Sequence, residues 1–323
     1  MDEQKRLFEI IRSKLVDQQR LSETVAKMLG ITQNSTYRRI RCEQELTFTE
    51  FQTLCRNFGV SMDEIAYYKS NQGALFHYMP DITDQESYIN HVVKMADILN
   101  FDSESVGNEL ICMAQNIPFY HFAKYPELAF FRLFAWNDTL KRRNLSYSQF
   151  CSNLDKDKIT FTFKQINHAF VHASSKEIWT ERTIDTTLRT LEYYFDIGAF
   201  DSDDEFMFLL DQLTDLLDTL KYYANDGYKE KMPFALYLCS VEVENNIMMI
   251  RKGNNLSCLV QLHAINRIVT ENENICNDTQ KWIDSLILKS IKISGSSSFR
   301  ERHHFFRILE GKVQSLRDKV KKS

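Results

Sequence analysis

Apolar residues recur every three or four positions through most of the 323-residue chain, the spacing of one side of an α-helix. Over the first 68 residues the pattern comes in five short bursts. Leu7, Ile11 and Leu15 mark a helix from about Asp2 to Asp17. Ser22 caps a second, which turns Val25, Ala26 and Leu29 inward and stops at Gly30. A third runs from Thr32 to Arg41, with Gln33, Thr36, Tyr37 and Ile40 on one face and Tyr37 and Ile40 as its core pair. Capping boxes, Thr47-x-x-Glu50 and Ser61-x-x-Glu64, open a fourth helix, which buries Phe51, Leu54 and Phe58, and a fifth.

Longer helices are predicted at Tyr88 to Leu99, Ser103 to Gln115, Pro126 to Arg143, Phe163 to Ala173, Glu181 to Phe195 and Asp203 to Tyr223. The last carries Phe206, Leu209, Leu213, Leu216, Leu220 and Tyr223 as one stripe, with Asp203, Asp204 and Glu205 at its positive start. The rule breaks at Leu238 to Val243, Ile247 to Ile250 and Leu256 to Val260, β-prone runs separated by Asn245-Asn246 and Gly253-Asn254-Asn255, which predict a small three-stranded meander. A helix near Asn274 to Ser290, around Trp282 and Leu286, and a final one from Phe299, capped by Ser298-x-x-Glu301, follow. In the final helix Phe306, Leu309, Val313, Leu316 and Val320 fall at heptad spacing, fitting a homodimer seam and docking onto the chain's own domain equally well. Its flank holds Arg307, Lys312, Arg317 and Lys319, read as a solvated face. The aromatic run from Ile117 to Pro126, with Phe130, Phe131, Phe134 and Trp136 after it, fits core packing better than a ligand pocket.

Composition narrows the classes. Only 9 Gly and 4 Pro disfavour a many-stranded β protein, and neither G-x-G-x-x-G nor G-x-x-x-x-G-K-[ST] is present to cradle a nucleotide. The seven cysteines are scattered without C-x-x-C, as expected of reduced thiols packed like small apolar residues. No apolar stretch approaches the ~20 residues of a membrane span, and the N-terminus lacks a secretory signal, so a cytoplasmic protein without a membrane partner is expected. His168 and His172 lie one turn apart with no third ligand, and no G-x-S-x-G elbow occurs, so no enzyme, cofactor or metal site is expected. The domains are predicted as 1–68, 74–232 and 233–323, with a weak boundary at Ser70-Asn71-Gln72-Gly73.

The third helix concentrates the chemistry. Asn34, Ser35, Arg38 and Arg39 point away from its predicted core pair, and Arg41 lies beside them. Arginine grips phosphates or takes guanine O6 and N7 bidentately, and asparagine pairs with adenine N6 and N7. Ala26, Leu29-Gly30-Ile31, the run Gln33-Asn34-Ser35-Thr36-Tyr37-Arg38-Arg39-Ile40 and the segment Phe58 to Ile65 together resemble the helix-turn-helix of Cro- and phage-repressor-like transcription regulators of the XRE type. Two departures stand out: Tyr37 and Ile40 lie one residue later than the apolar pair of the commonest family pattern, and the Gly usual after the recognition helix is replaced by Cys42-Glu43-Gln44.

Periodicity gives a mainly α chain, with a large helical region and a small β-meander near the C-terminus; the resemblance covers residues 1–68 only, where it implies an N-terminal five-helix helix-turn-helix domain. It implies a sequence-specific regulator that places residues 33–41 in the major groove of double-stranded DNA. Gln33, Asn34, Ser35 and Arg38 would then meet base edges, and Tyr37, Arg39 and Arg41 phosphates. A homodimer and a small-molecule or peptide effector are expected partners. The alternative is a protein-interaction scaffold, in which the N-terminal helices and the aromatic middle bind protein or peptide.

Overall fold

The computed structural model describes residues 2–15, 21–66, 74–78, 85–99, 107–141, 145–241, 243–263 and 266–321. The predicted boundary at residues 70–73 and parts of several predicted helices lie outside these. The chain divides into two compact units, residues 1–76 and 77–323.

In the first unit five helices follow one another: α1 Asp2–Lys14, α2 Leu21–Leu29, α3 Gln33–Ile40, α4 Phe48–Phe58 and α5 Met62–Ala66. Leu7, Ile11, Leu21, Val25, Leu54, Val60 and Ile65 form their shared core. Thr47 and Glu50 complete the capping box of α4, and the Ser61 hydroxyl accepts from the Asp63 N–H at the start of α5. Ser22 is not a cap. It lies inside α2, buried, and its hydroxyl turns to the Tyr37 hydroxyl instead.

The second unit overturns the expectation of a mainly α chain with a small separate meander. Among the described residues nine strands form one mixed sheet: β1 His77–Tyr78, β2 Glu109–Ala114, β3 Ser174–Trp179, β4 Tyr228–Lys229, β5 Met232–Leu238, β6 Ile247–Lys252, β7 Asn255–His263, β8 Asn266–Thr270 and β9 Ile291–Lys292. Their order is β1-β8-β7-β6-β2-β3-β5-β4, with β9 also paired to β5. Strands β2, β3 and β5 run parallel at its centre, and β6, β7 and β8 extend it antiparallel from β2. Parallel neighbours need helical crossovers. Helices α7 Phe119–Phe122, α8 Pro126–Lys141, α9 Tyr147–Ser152 and α10 Lys156–Val171 link β2 to β3; α11 Asp185–Asp196 and α12 Asp203–Asp226 lead on to β4 and β5. The ladder between β3 and β5 crosses the predicted boundary at 232/233, so no domain begins there.

Alternation along β2 explains how the sheet is covered. Leu110, Cys112 and Ala114 join the large core built with the crossover helices and α6 Gln85–Leu99, whereas Ile111 and Met113 face a second core with Ile283 and Leu286 of α13 Glu273–Leu288. A strand buried on both faces reads as an unbroken apolar run. For that reason 109–114 fell inside a predicted helix. The meander also shifts: β5 ends at Leu238 and pairs with β3, the described residues 239–241 and 243 of the predicted strand 238–243 are not in a strand, and the hairpins are β6-β7 and β7-β8. Gly253, at φ +58°, makes the first of these turns.

The heptad residues Phe306, Leu309, Val313, Leu316 and Val320 of α14 Phe299–Val320 are all buried in the chain's own core, against α12 and α11. The homodimer seam is therefore withdrawn at these positions. Three of the four flank residues are also paired: Lys312 with Asp185, Lys319 with Glu192 and Arg317 with Asp211. Ser298 stands at φ +53° and makes no side-chain cap; Arg302, buried, donates to the carbonyls of Ile293, Gly295 and Ser297 instead and so holds the loop before the helix. The aromatic run lies in the same large core, with Tyr120, Phe122, Phe130, Phe131 and Trp136 sealed from solvent.

Candidate nucleic-acid interface

Gly30 ends α2 at φ +64°, and the Ile31 N–H donates back to the Ala26 carbonyl over 3.2 Å, which turns the chain toward α3 within three residues. Thr32 then caps α3, its hydroxyl accepting from the Ser35 N–H. Thr36, fully buried, donates from its hydroxyl to the Thr32 carbonyl at 3.1 Å. That inward threonine fixes the rotation of the helix. The buried positions of α3 are Thr36 and Arg39, not the predicted pair of Tyr37 and Ile40; Ile40 is half-buried and Tyr37 is 46% exposed.

The outward stripe follows from this rotation. Gln33, Asn34, Tyr37, Arg38 and Arg41 are all exposed, and they are neighbours at the three- and four-residue spacings of a helix surface. Ser35 is half-exposed at one margin. The stripe thus joins two amides, a phenol and two guanidiniums. The Tyr37 hydroxyl accepts from Ser22 over 3.2 Å, which ties that ring to α2. Arg41 has Glu43 at 3.8 Å, a surface pair worth little in water.

Arg39 departs from its predicted place at a phosphate. Its residue is 7% exposed, its guanidinium donates to both oxygens of Glu50, Nη2 at 2.9 Å and Nε at 3.3 Å, and Nη1 donates to the Ser35 carbonyl. Glu50 in turn accepts from the Thr47 N–H at 2.8 Å, so one carboxylate caps α4 and anchors α3. Burial raises the Glu50 carboxyl, but the Thr47 N–H and the Arg39 charge outweigh it and hold the group below its ordinary range. Nothing in the linear pattern separates Arg39 from Arg38; the pairing with Glu50 exists only in three dimensions.

Cys42 occupies the place of the missing glycine at φ +58°, the left-handed conformation that a Cβ disfavours by roughly 1–2 kcal/mol. Cys42→Gly is expected to raise the stability of the first unit by roughly 0.5–1 kcal/mol, since relief of that strain exceeds the added freedom of the unfolded chain. Urea unfolding followed by far-UV circular dichroism measures this, and a loss of stability would show that thiol packing outweighs the strain.

A second concentration of polar groups lies in the large unit. Glu177 on β3 is 0% exposed and accepts from His121 Nε2 at 2.8 Å and Trp179 Nε1 at 2.8 Å. Lys229, equally buried, donates to the Phe170 carbonyl at 2.6 Å and sits 3.5 Å from the Phe170 ring centroid. Burial raises the Glu177 carboxyl, yet His121, Lys229 and the Trp179 N–H together leave it below the usual range. Burial pushes Lys229 down to about 7 and Cys112, beside Glu177, up to about 12. The Tyr120 hydroxyl faces Cys112 and Glu177 without hydrogen-bond geometry to either. Cys112 at such a value is a thiol, not a nucleophile. Sealed on all sides, these groups bind the sheet to α7 and α10; sequence reading missed them because β3 has neither alternation nor an apolar run.

His168 and His172 stack at 4.0 Å, and among the described residues no group of three His, Cys, Asp or Glu converges to hold a metal ion. Nor is any helix among them long and apolar enough to cross a membrane. Compared with family models, curated proteins and solved structures, the chain matches none.

Proposed function

We propose that this chain is a sequence-specific DNA-binding regulator that lays α3 in the major groove of double-stranded DNA. One observation carries the reading: a tight Gly30 turn presents α3 with Gln33, Asn34, Tyr37, Arg38 and Arg41 on a single exposed stripe while Thr36 and Arg39 hold its other side. Amides and guanidiniums at that spacing match base edges, and Arg41 at the helix end suits a phosphate. The first 70 residues carry 11 Lys and Arg against 10 Asp and Glu, so attraction to DNA is local to this stripe. A two-fold dimer and an effector bound by the second unit remain part of the proposal.

Selection of duplexes from a random pool by the full chain tests it. A shared core sequence supports the reading, and recovery without any common sequence overturns it. On the selected site, Arg38→Ala is expected to cost about 1–3 kcal/mol and relax one base position, whereas Arg41→Ala weakens all sequences alike and lowers the salt slope by about one. Fluorescence anisotropy at several salt concentrations separates the two, and equal small effects would argue against this docking.

A further inference from the structure

We infer that Gln4 is a positioning residue for base reading by α3, an inference that rests on the DNA-binding reading above. Gln4 lies on α1, at 7% exposure. Its Nε2 donates to the Arg39 carbonyl at 2.7 Å and to the Gln44 carbonyl at 2.9 Å, and its Oε1 accepts from the Leu46 N–H at 2.8 Å. One side chain therefore ties the last turn of α3 and the α3–α4 linker to a different helix.

The donor pattern explains why this residue is glutamine. Two carbonyls and one N–H need two donors and one acceptor on a single group, and a primary amide supplies that set. A glutamate would set a carboxylate oxygen against two carbonyls; a methionine would fill the volume and make none of the bonds. Arg39 is held twice, through its carbonyl by Gln4 and through its guanidinium by Glu50. Both holds act on the inner side of α3, opposite Arg38 and Asn34. They set how far the helix stands out and how it is rotated. Base contacts demand placement within about 0.5 Å, whereas phosphate contacts by long, flexible arginines tolerate more. Loss of the Gln4 bonds is thus expected to damage discrimination more than general affinity.

The test compares full-length native chain with Gln4→Met and Gln4→Glu, each checked by circular dichroism to be folded at the assay temperature. Affinity is measured for the selected duplex and for a scrambled one. Gln4→Met is expected to lose about tenfold in the ratio of specific to scrambled binding while the scrambled affinity and its salt slope stay within twofold. Amide exchange at Leu46 should rise in the same variant. Should Gln4→Met fail to fold, Gln4→Glu, which keeps the size and the acceptor for Leu46, decides the matter with the same expected fall in ratio. An unchanged ratio in a folded variant overturns the positioning role. A native chain that shows no preference between the two duplexes overturns the DNA-binding reading itself, which is a separate outcome.

Discussion

Replacing Glu177 by Leu is expected to lower the unfolding free energy of residues 77–323 by about 3–5 kcal/mol, the cost of removing one partner from a buried ion pair. The substitution strips the acceptor from His121 and Trp179 at once and leaves Lys229 in a low-dielectric site without the carboxylate that faces it. Leucine would add apolar contact there, but the two buried N–H donors left without an acceptor, and the lysine left without its carboxylate, dominate the sum. The measurement is clean because all three tryptophans, Trp136, Trp179 and Trp282, lie in that unit, so denaturant unfolding followed by fluorescence reports on it alone. A loss below about 1 kcal/mol would mean that the cluster does not depend on its carboxylate.

The second large effect depends on pH. Lys229 titrates near 7 in the folded chain against an ordinary value of 10.5, so between those limits the unfolded state holds a proton that the folded state has released. Its contribution therefore improves as pH rises through that window and is fully unfavourable below about 7. Buried groups such as Cys112 and Tyr120, held above their ordinary values, work in the opposite sense as pH rises, and they are common to native chain and variant. Lys229→Met isolates the lysine. The variant should gain on the native chain as pH falls from 10 to 7, by up to about 4 kcal/mol. A difference in stability that stays flat across this range would show that the ammonium is well solvated or compensated. The apolar contacts of the lysine stem are lost at every pH and shift the curve, whereas the ammonium's place over the Phe170 ring belongs to the protonated form and enters the slope.

How much of this was legible depended on how local the cause was. The Thr47 capping box and the starts of α4, α12 and α13 rest on residues a few positions apart, and pattern reading placed them closely. The heptad stripe of α14 was equally visible, but a stripe states only that one face is covered, and α11 and α12 of the same chain cover it. The parallel strands escaped notice for two different reasons: β2 is apolar on both faces, and β3, reading Ser-Ser-Lys-Glu-Ile-Trp, owes its place to neighbours on either side. On α3 the residue that lies inward is Thr36, bonded to the Thr32 carbonyl, which reverses the parts of Arg39 and Tyr37. Asn34, Arg38 and Arg41 are exposed as the pattern predicts, Gln33 leaves the predicted core face to join them, and the brace through Gln4 and Glu50 had no signal in the linear order.

The pairing of β2 sets a timetable for synthesis. Its outer edge bonds to β6, with Glu109 opposite Arg251. A ribosome adding about 5–20 residues per second therefore leaves the Leu110 to Ala114 segment without that neighbour for roughly ten seconds after it is made. Over this interval an apolar ribbon with open backbone groups waits in the nascent chain, so the sheet of residues 77–323 is completed only late in synthesis.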